Sequence, residues 1–125
     1  MKKKIIVIED DKDIAELVKL VLETEDFEVK IVLDAPSSYM VVKENKPDAV
    51  ILDLLMPQMN GWEIFKQIRN DKELSNIPIA ILTAKTQAFD EMVGLHIMKA
   101  DAYITKPFGK KELLDKIHGL FKQQS

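Results

Sequence analysis

Several of the chain's most apolar runs end in residues that can do chemistry. Ile5-Ile6-Val7-Ile8 runs into Glu9-Asp10-Asp11, and Ala49-Val50-Ile51-Leu52 runs into Asp53. Ile79-Ala80-Ile81-Leu82 ends in Thr83, and the short run from Ala102 to Thr105 ends in Lys106-Pro107. Two carboxylates about 4 Å apart repel by roughly 4 kcal/mol at an effective dielectric near 20. If these residues meet, Lys106 offsets one charge and the rest calls for a cation. Cysteine is absent, and His96 and His118 have no partner at metal-ligand spacing, so only oxygen donors are on offer. The hard ion Mg²⁺ suits such a set. A carboxylate held beside Mg²⁺ and an ammonium can attack phosphorus to form an acyl phosphate. Asp53 is the candidate nucleophile, with the metal and Lys106 stabilising charge on the transferring group.

The elements between these runs decide whether they do meet. Ile14, Leu17, Val18, Val21 and Leu22 recur at helical spacing behind an Asp at 10 or 11. A strand is expected near Val29 to Leu33. Pro36 then reads as a first-turn proline of a helix ending near Asn45-Lys46-Pro47. A loop from Pro57 to Gly61 precedes a helix carrying Ile64, Phe65 and Ile68. Further helices are expected around Ala88 to Met98 and along Leu113, Leu114, Ile117, Leu120 and Phe121. Strand and helix alternate five times, which predicts an α/β fold: a doubly wound, five-stranded parallel sheet with five helices on its two faces. Such sheets carry their sites beyond the carboxyl ends of the strands, where all the residues above fall.

Composition narrows the class. A chain of 125 residues, 46% hydrophobic and 31% charged, suits one domain with one substantial core, spanning 1–125. The net charge of -3 offers no basic stripe for nucleic acid. Met1-Lys2-Lys3-Lys4 imitates the start of a signal peptide, but the apolar run behind it is too short and turns acidic. No stretch approaches membrane-spanning length, so a cytoplasmic protein is expected.

Taken in order, the run ending in Glu9-Asp10, the stretch from Asp53-Leu54-Leu55-Met56-Pro57 to Asn60-Gly61, Thr83-Ala84, and Tyr103-Ile104-Thr105-Lys106-Pro107-Phe108 resemble the receiver domain of two-component response regulators. The resemblance covers essentially the whole chain and implies strand order 2-1-3-4-5, as in flavodoxin-like folds. It implies that Asp53 takes a phosphoryl group from a histidine kinase or histidine phosphotransfer protein, and that the protein catalyses only its own phosphorylation and dephosphorylation. Asp10, Asp53 and the backbone carbonyl of Leu55 would touch Mg²⁺, with Glu9 nearby. Lys106 would pair with Asp53 at rest and with the phosphoryl oxygens afterwards, next to a cis bond to Pro107. Thr83 would move onto the phosphoryl group and Tyr103 would swing inward behind it, altering a surface read by a downstream protein. A monomer or weak homodimer without membrane or direct nucleic-acid contact is implied.

The chain departs from the family pattern in three places. The stretch from Thr83 to Lys106 is one residue longer. Met98-Lys99-Ala100 lacks the glycine usual where the fourth helix ends, so that turn must stop in another way. Leu55 and Lys85, two positions beyond Asp53 and Thr83, suggest restricted water access and slow loss of the phosphoryl group.

Each residue also has a plainer reading. Asp11 is better explained as a helix cap than as a ligand. Taken alone, Asp53 could be a turn residue, Thr83 a strand end and Lys106 part of a solvated face with Lys110, Lys111 and Lys116. His96 and His118 read as surface residues, Trp62 as packing on its own loop, and Met56 and Met59 as gap-fillers. A haloacid dehalogenase-type phosphatase would want an Asp where Leu55 stands. A flavodoxin-like carrier would want a phosphate-cradling loop where Glu9-Asp10-Asp11 would repel phosphate. A receiver excised from a longer regulator stays open, although Gln123-Gln124-Ser125 reads as a natural terminus.

Overall fold

The computed structural model describes residues 2–84 and 99–122. β1 (Lys3–Ile8), β2 (Phe27–Val32), β3 (Ala49–Asp53), β4 (Ile79–Ala84) and β5 (Ala102–Lys106) form one parallel sheet in the order β2-β1-β3-β4-β5. Four α-helices lie among the described residues: α1 (Lys12–Leu22), α2 (Ser38–Asn45), α3 (Gly61–Asn70) and α4 (Lys110–Lys122). The helix expected at Ala88 to Met98 lies outside them, as do Lys85, His96 and the terminal Gln123-Gln124-Ser125. Among the described residues, no helix is long and apolar enough to cross a membrane.

Successive strand residues point to opposite faces, and this sheet is covered on both. Ile6, Ile8, Val50, Leu52, Ile79 and Ile81 pack with Val42, Ile64, Phe65 and Ile68 of α2 and α3. Ile5, Val7, Ala49, Ile51, Ala80 and Leu82 pack with Ala15, Val18 and Leu22 of α1 and Leu113, Ile117 and Leu120 of α4. Each fully buried Ile or Leu contributes about 2 kcal/mol of transfer free energy. This two-sided burial explains why the strands read as continuous apolar runs rather than alternating ones.

The ladder reaches further than the apolar runs suggest. Asp53 pairs in register with Leu82, Thr83 with Thr105 and Ala84 with Lys106. Asp53, Thr83 and Lys106 therefore stand inside the last turns of the sheet, where backbone pairing fixes their directions. Elsewhere boundaries shift. β2 begins at Phe27 and stops before Leu33, because its pairing with β1 starts at Lys3 opposite Phe27. Pro36 lies in a 3-10 turn, Ala35–Ser37, ahead of α2. Its fixed φ suits that tighter turn as well as an α-helical one.

Capping residues set the helix starts. The Asp11 side chain accepts hydrogen bonds from the backbone N–H groups of Asp13 and Ile14, which makes it the N-cap of α1. Asn60 does the same for α3 through the N–H of Trp62, at 2.8 Å. The Trp62 ring meets Phe65 edge-on at 5.4 Å.

Lys99, in the stretch that lacks a glycine, adopts a left-handed φ of 63°. A side chain there costs about 1–2 kcal/mol relative to a right-handed residue. Lys99→Gly should therefore stabilise the protein by about 0.5–1 kcal/mol once the extra freedom of glycine in the unfolded chain is subtracted. Urea unfolding checks this; a lower midpoint for the variant would contradict it.

Candidate functional site

The site begins where β1 stops. The backbone N–H of Glu9 still donates to the carbonyl of Val32, at 3.1 Å, so the strand direction persists for one more residue. Glu9 is consequently turned inward and only 1% exposed. One of its oxygens, Oε1, accepts from the N–H of Asp11 at 3.1 Å, while Oε2 lies 2.9 Å from Lys106 Nζ. Asp10, next in the chain, is exposed.

Asp53, at the end of the central strand β3, is 3% exposed. Its Oδ1 accepts from the Leu55 N–H at 3.3 Å and lies 3.6 Å from Lys106 Nζ. Lys106 thus makes the expected resting ion pair with Asp53 and lies nearer still to Glu9. The Lys106 side chain is 23% exposed, reaching the site from the far edge of the sheet.

One carboxylate oxygen from each of Glu9, Asp10 and Asp53 lies within 4.8 Å of the others. Burial, and next the charge of Glu9, push the Asp53 carboxyl up to about 7, with Lys106 and the Leu55 N–H opposing. Among the described residues, three carboxylates face one ammonium, which leaves the site short of positive charge. A hard divalent cation with oxygen ligands fits this donor set, in which two buried carboxylates are joined by an exposed one open to water.

The remaining expected residues are placed as follows. Thr83 is 1% exposed on β4, one residue beyond the partner of Asp53 in the ladder. Tyr103 is already buried, packed in the cluster on the α2–α3 face of the sheet, so its ring occupies the inward position in this structure. The Leu55 side chain is 60% exposed at the mouth of the site, while its N–H is spent on Asp53. The Lys106–Pro107 bond is cis. Beside it a groove of about 310 Å³, lined by Ile14, Leu17, Pro107 and Phe108, opens onto Lys106.

Two features carry no clear sequence signal. The partnership of Glu9 with Lys106 joins the ends of β1 and β5, which are not neighbours in the sheet. Gly61 sits directly against the backbone of Asp53 and Leu54. The glycine is visible in the sequence; the contact is not.

The family model described as the response regulator receiver domain matches residues 5–118. The chain is 40% identical over 117 residues to the DNA-binding response regulator MtrA of Mycolicibacterium paratuberculosis, covering 94% of this chain and 50% of that protein. It is 38% identical over 121 residues to the response regulator ArlR of Staphylococcus saprophyticus, covering 97% and 53%. The chain therefore spans about half the length of the curated relatives it matches. Among solved structures, the receiver domain of Francisella response regulator 1452 matches with a TM-score of 0.87 at 29% identity, covering 99% of this chain and 100% of that one. The chemotaxis response regulator CheY4 of Vibrio cholerae matches with a TM-score of 0.87 at 25% identity, covering 96% and 99%.

Proposed function

The chain belongs to the response regulator receiver domain family, and from that premise we propose that Asp53 is its phosphoacceptor, served by Mg²⁺ bound at Glu9, Asp10 and Asp53. The receiver of a two-component system is a signalling unit, and residues 1–125 are taken as one such unit. The observation that carries the site assignment is the gathering of the three carboxylates within 4.8 Å, with Lys106 Nζ 2.9 Å from Glu9 and 3.6 Å from Asp53.

These residues divide the work of phosphoryl transfer. A carboxylate oxygen of Asp53 attacks phosphorus as the P–N bond of a phosphohistidine donor breaks, and the electron pair leaves on the imidazole nitrogen. The Leu55 N–H and Lys106 hold the other side of the Asp53 carboxylate and orient it. Once the phosphoryl group is in place, Lys106 can turn from Glu9 to a phosphoryl oxygen, a move of its flexible stem alone. When bound, Mg²⁺ would draw charge from the transferring oxygens, with the backbone carbonyl of Leu55 completing the protein ligands. Thr83 is buried at the adjacent strand end and would donate its hydroxyl to the new oxyanion, with Tyr103 packing behind it.

The donor is a histidine kinase or a histidine phosphotransfer protein, and the apolar groove beside Lys106 gives such a protein a surface to bind in addition to the phosphoryl group. The output is a downstream partner, or an effector segment such as the DNA-binding relatives are named for. The chemistry serves the protein's own phosphorylation and dephosphorylation, since Leu55 puts an exposed apolar side chain where a phosphatase would need a second acid. That same side chain supports a long-lived phosphorylated form.

Incubation with a small phosphodonor, with and without Mg²⁺, tests the assignment by intact mass. The native protein should gain one phosphoryl group only with Mg²⁺, and Asp53→Asn should gain none. An equal adduct on the variant, or none on either protein, would overturn it.

A further inference from the structure

The start of α3 and the end of β3 touch backbone to backbone. The Gly61 N–H donates to the Leu54 carbonyl at 2.9 Å. A Cβ on Gly61 would lie 2.4 Å from the Asp53 carbonyl oxygen, 2.7 Å from Leu54 Cα and 3.2 Å from the Asp53 carbonyl carbon. All three are main-chain atoms, so no rotamer change can relieve the contact. The requirement is for space, because no glycine among the described residues has a positive φ.

We infer that Gly61 is a positioning residue for phosphoryl transfer, setting the Asp53–Leu54 peptide and through it the Asp53 carboxylate; this rests on the reading that Asp53 is the acceptor. The loop between them cannot take up a displacement elsewhere. Leu54 and Met56 are buried in the core, and the Leu54 N–H points to the Leu82 carbonyl at 3.4 Å. Asn60 pins the helix start through its cap on Trp62. A side chain at 61 would have to push the end of β3 away by about 1 Å to restore ordinary van der Waals separation. Asp53 would then shift relative to Glu9 and Lys106, which are carried by other strands, and the Leu55 N–H would shift with it. Misplacement on this scale costs a reaction about 100-fold in rate.

The test compares Gly61→Ala with Ile68→Ala, which weakens the same helix from its buried far end. Thermal melts establish how much stability each loses. Adduct formation from phosphoramidate and the Mg²⁺ concentration giving half-maximal rate are then measured for both. Gly61→Ala should lose about 100-fold in rate at saturating Mg²⁺ and need several-fold more Mg²⁺, while Ile68→Ala stays within about twofold of the native protein. A native rate in Gly61→Ala, or an equal loss in Ile68→Ala, would overturn the inference. Should Gly61→Ala fail to fold, Asn60→Ala frays the same helix start without adding bulk. It should slow the adduct several-fold, and an unchanged rate would count against the inference. Absence of an adduct on the native protein would instead refute the acceptor role of Asp53.

Discussion

Asp53→Asn should make the metal-free protein more stable at neutral pH, although it removes the reactive group. Asp53 is 3% exposed and shares its space with the carboxylates of Glu9 and Asp10. Burial and the charge of Glu9 raise its carboxyl to about 7, against about 3.9 in an unfolded chain. Between those two values the folded state holds a proton that the unfolded state has released. Stability therefore falls as pH rises through the window from about 4 to about 7, and the whole penalty is present above it. Asn keeps the shape and removes the charge. The expected gain is on the order of 2 kcal/mol at about pH 8, fading to nothing near pH 4. For a chain of this size that is a rise in melting temperature of roughly 5–10 °C. Mg²⁺ should raise the melting temperature of the native protein more than that of the variant, narrowing the gap. Melts across this pH range, with and without Mg²⁺, decide the matter; a variant less stable than the native protein at about pH 8 would sink the argument.

The same crowding explains what could and could not be seen in the sequence. Strands buried on both faces announce themselves as apolar runs, and a polar residue just past such a run must lie at a sheet edge. Asp10, Asp53, Thr83 and Lys106 were legible on those grounds. The strand order was not, because a buried β-branched run carries no label for its neighbours; it came from the family resemblance. Ladder ends were misplaced by one or two residues for a related reason. Asp53, Thr83 and Lys106 are polar, yet cross-strand pairing rather than hydrophobicity holds them in β3, β4 and β5. Glu9 looked like one more carboxylate after β1, and its pairing with Lys106 depends on two chain ends brought together across the sheet. Leu74, fully buried in the turn after α3, had no periodic neighbours to reveal it. Lys99 shows the same limit in the backbone, since lysine gives no warning of a left-handed φ.

Lys106→Ala should carry the largest combined cost. Its ammonium is the one positive group within 4 Å of Glu9 and Asp53 among the described residues, at 2.9 and 3.6 Å. Removing it leaves two buried carboxylates facing each other. Breaking a buried pair costs about 3–5 kcal/mol where the remaining charge cannot relax. Here Lys106 is partly exposed and the raised Asp53 carboxyl can take up a proton, so a loss of about 2–3 kcal/mol at roughly pH 8 is expected, shrinking as pH falls. Mg²⁺ should recover part of that stability. It should not recover transfer, because the metal cannot also occupy the position of the ammonium beside the phosphoryl oxygens. Adduct formation is expected to fall about 100-fold even at saturating Mg²⁺. Glu9→Gln in the Lys106→Ala background separates the two roles of the lysine. Removing the Glu9 charge relieves the repulsion and should restore much of the stability at high pH, yet leave transfer slow. A double variant that regained the native rate would show that Lys106 serves only to neutralise Glu9. A single variant with unchanged melting temperature and rate would show that the lysine does neither.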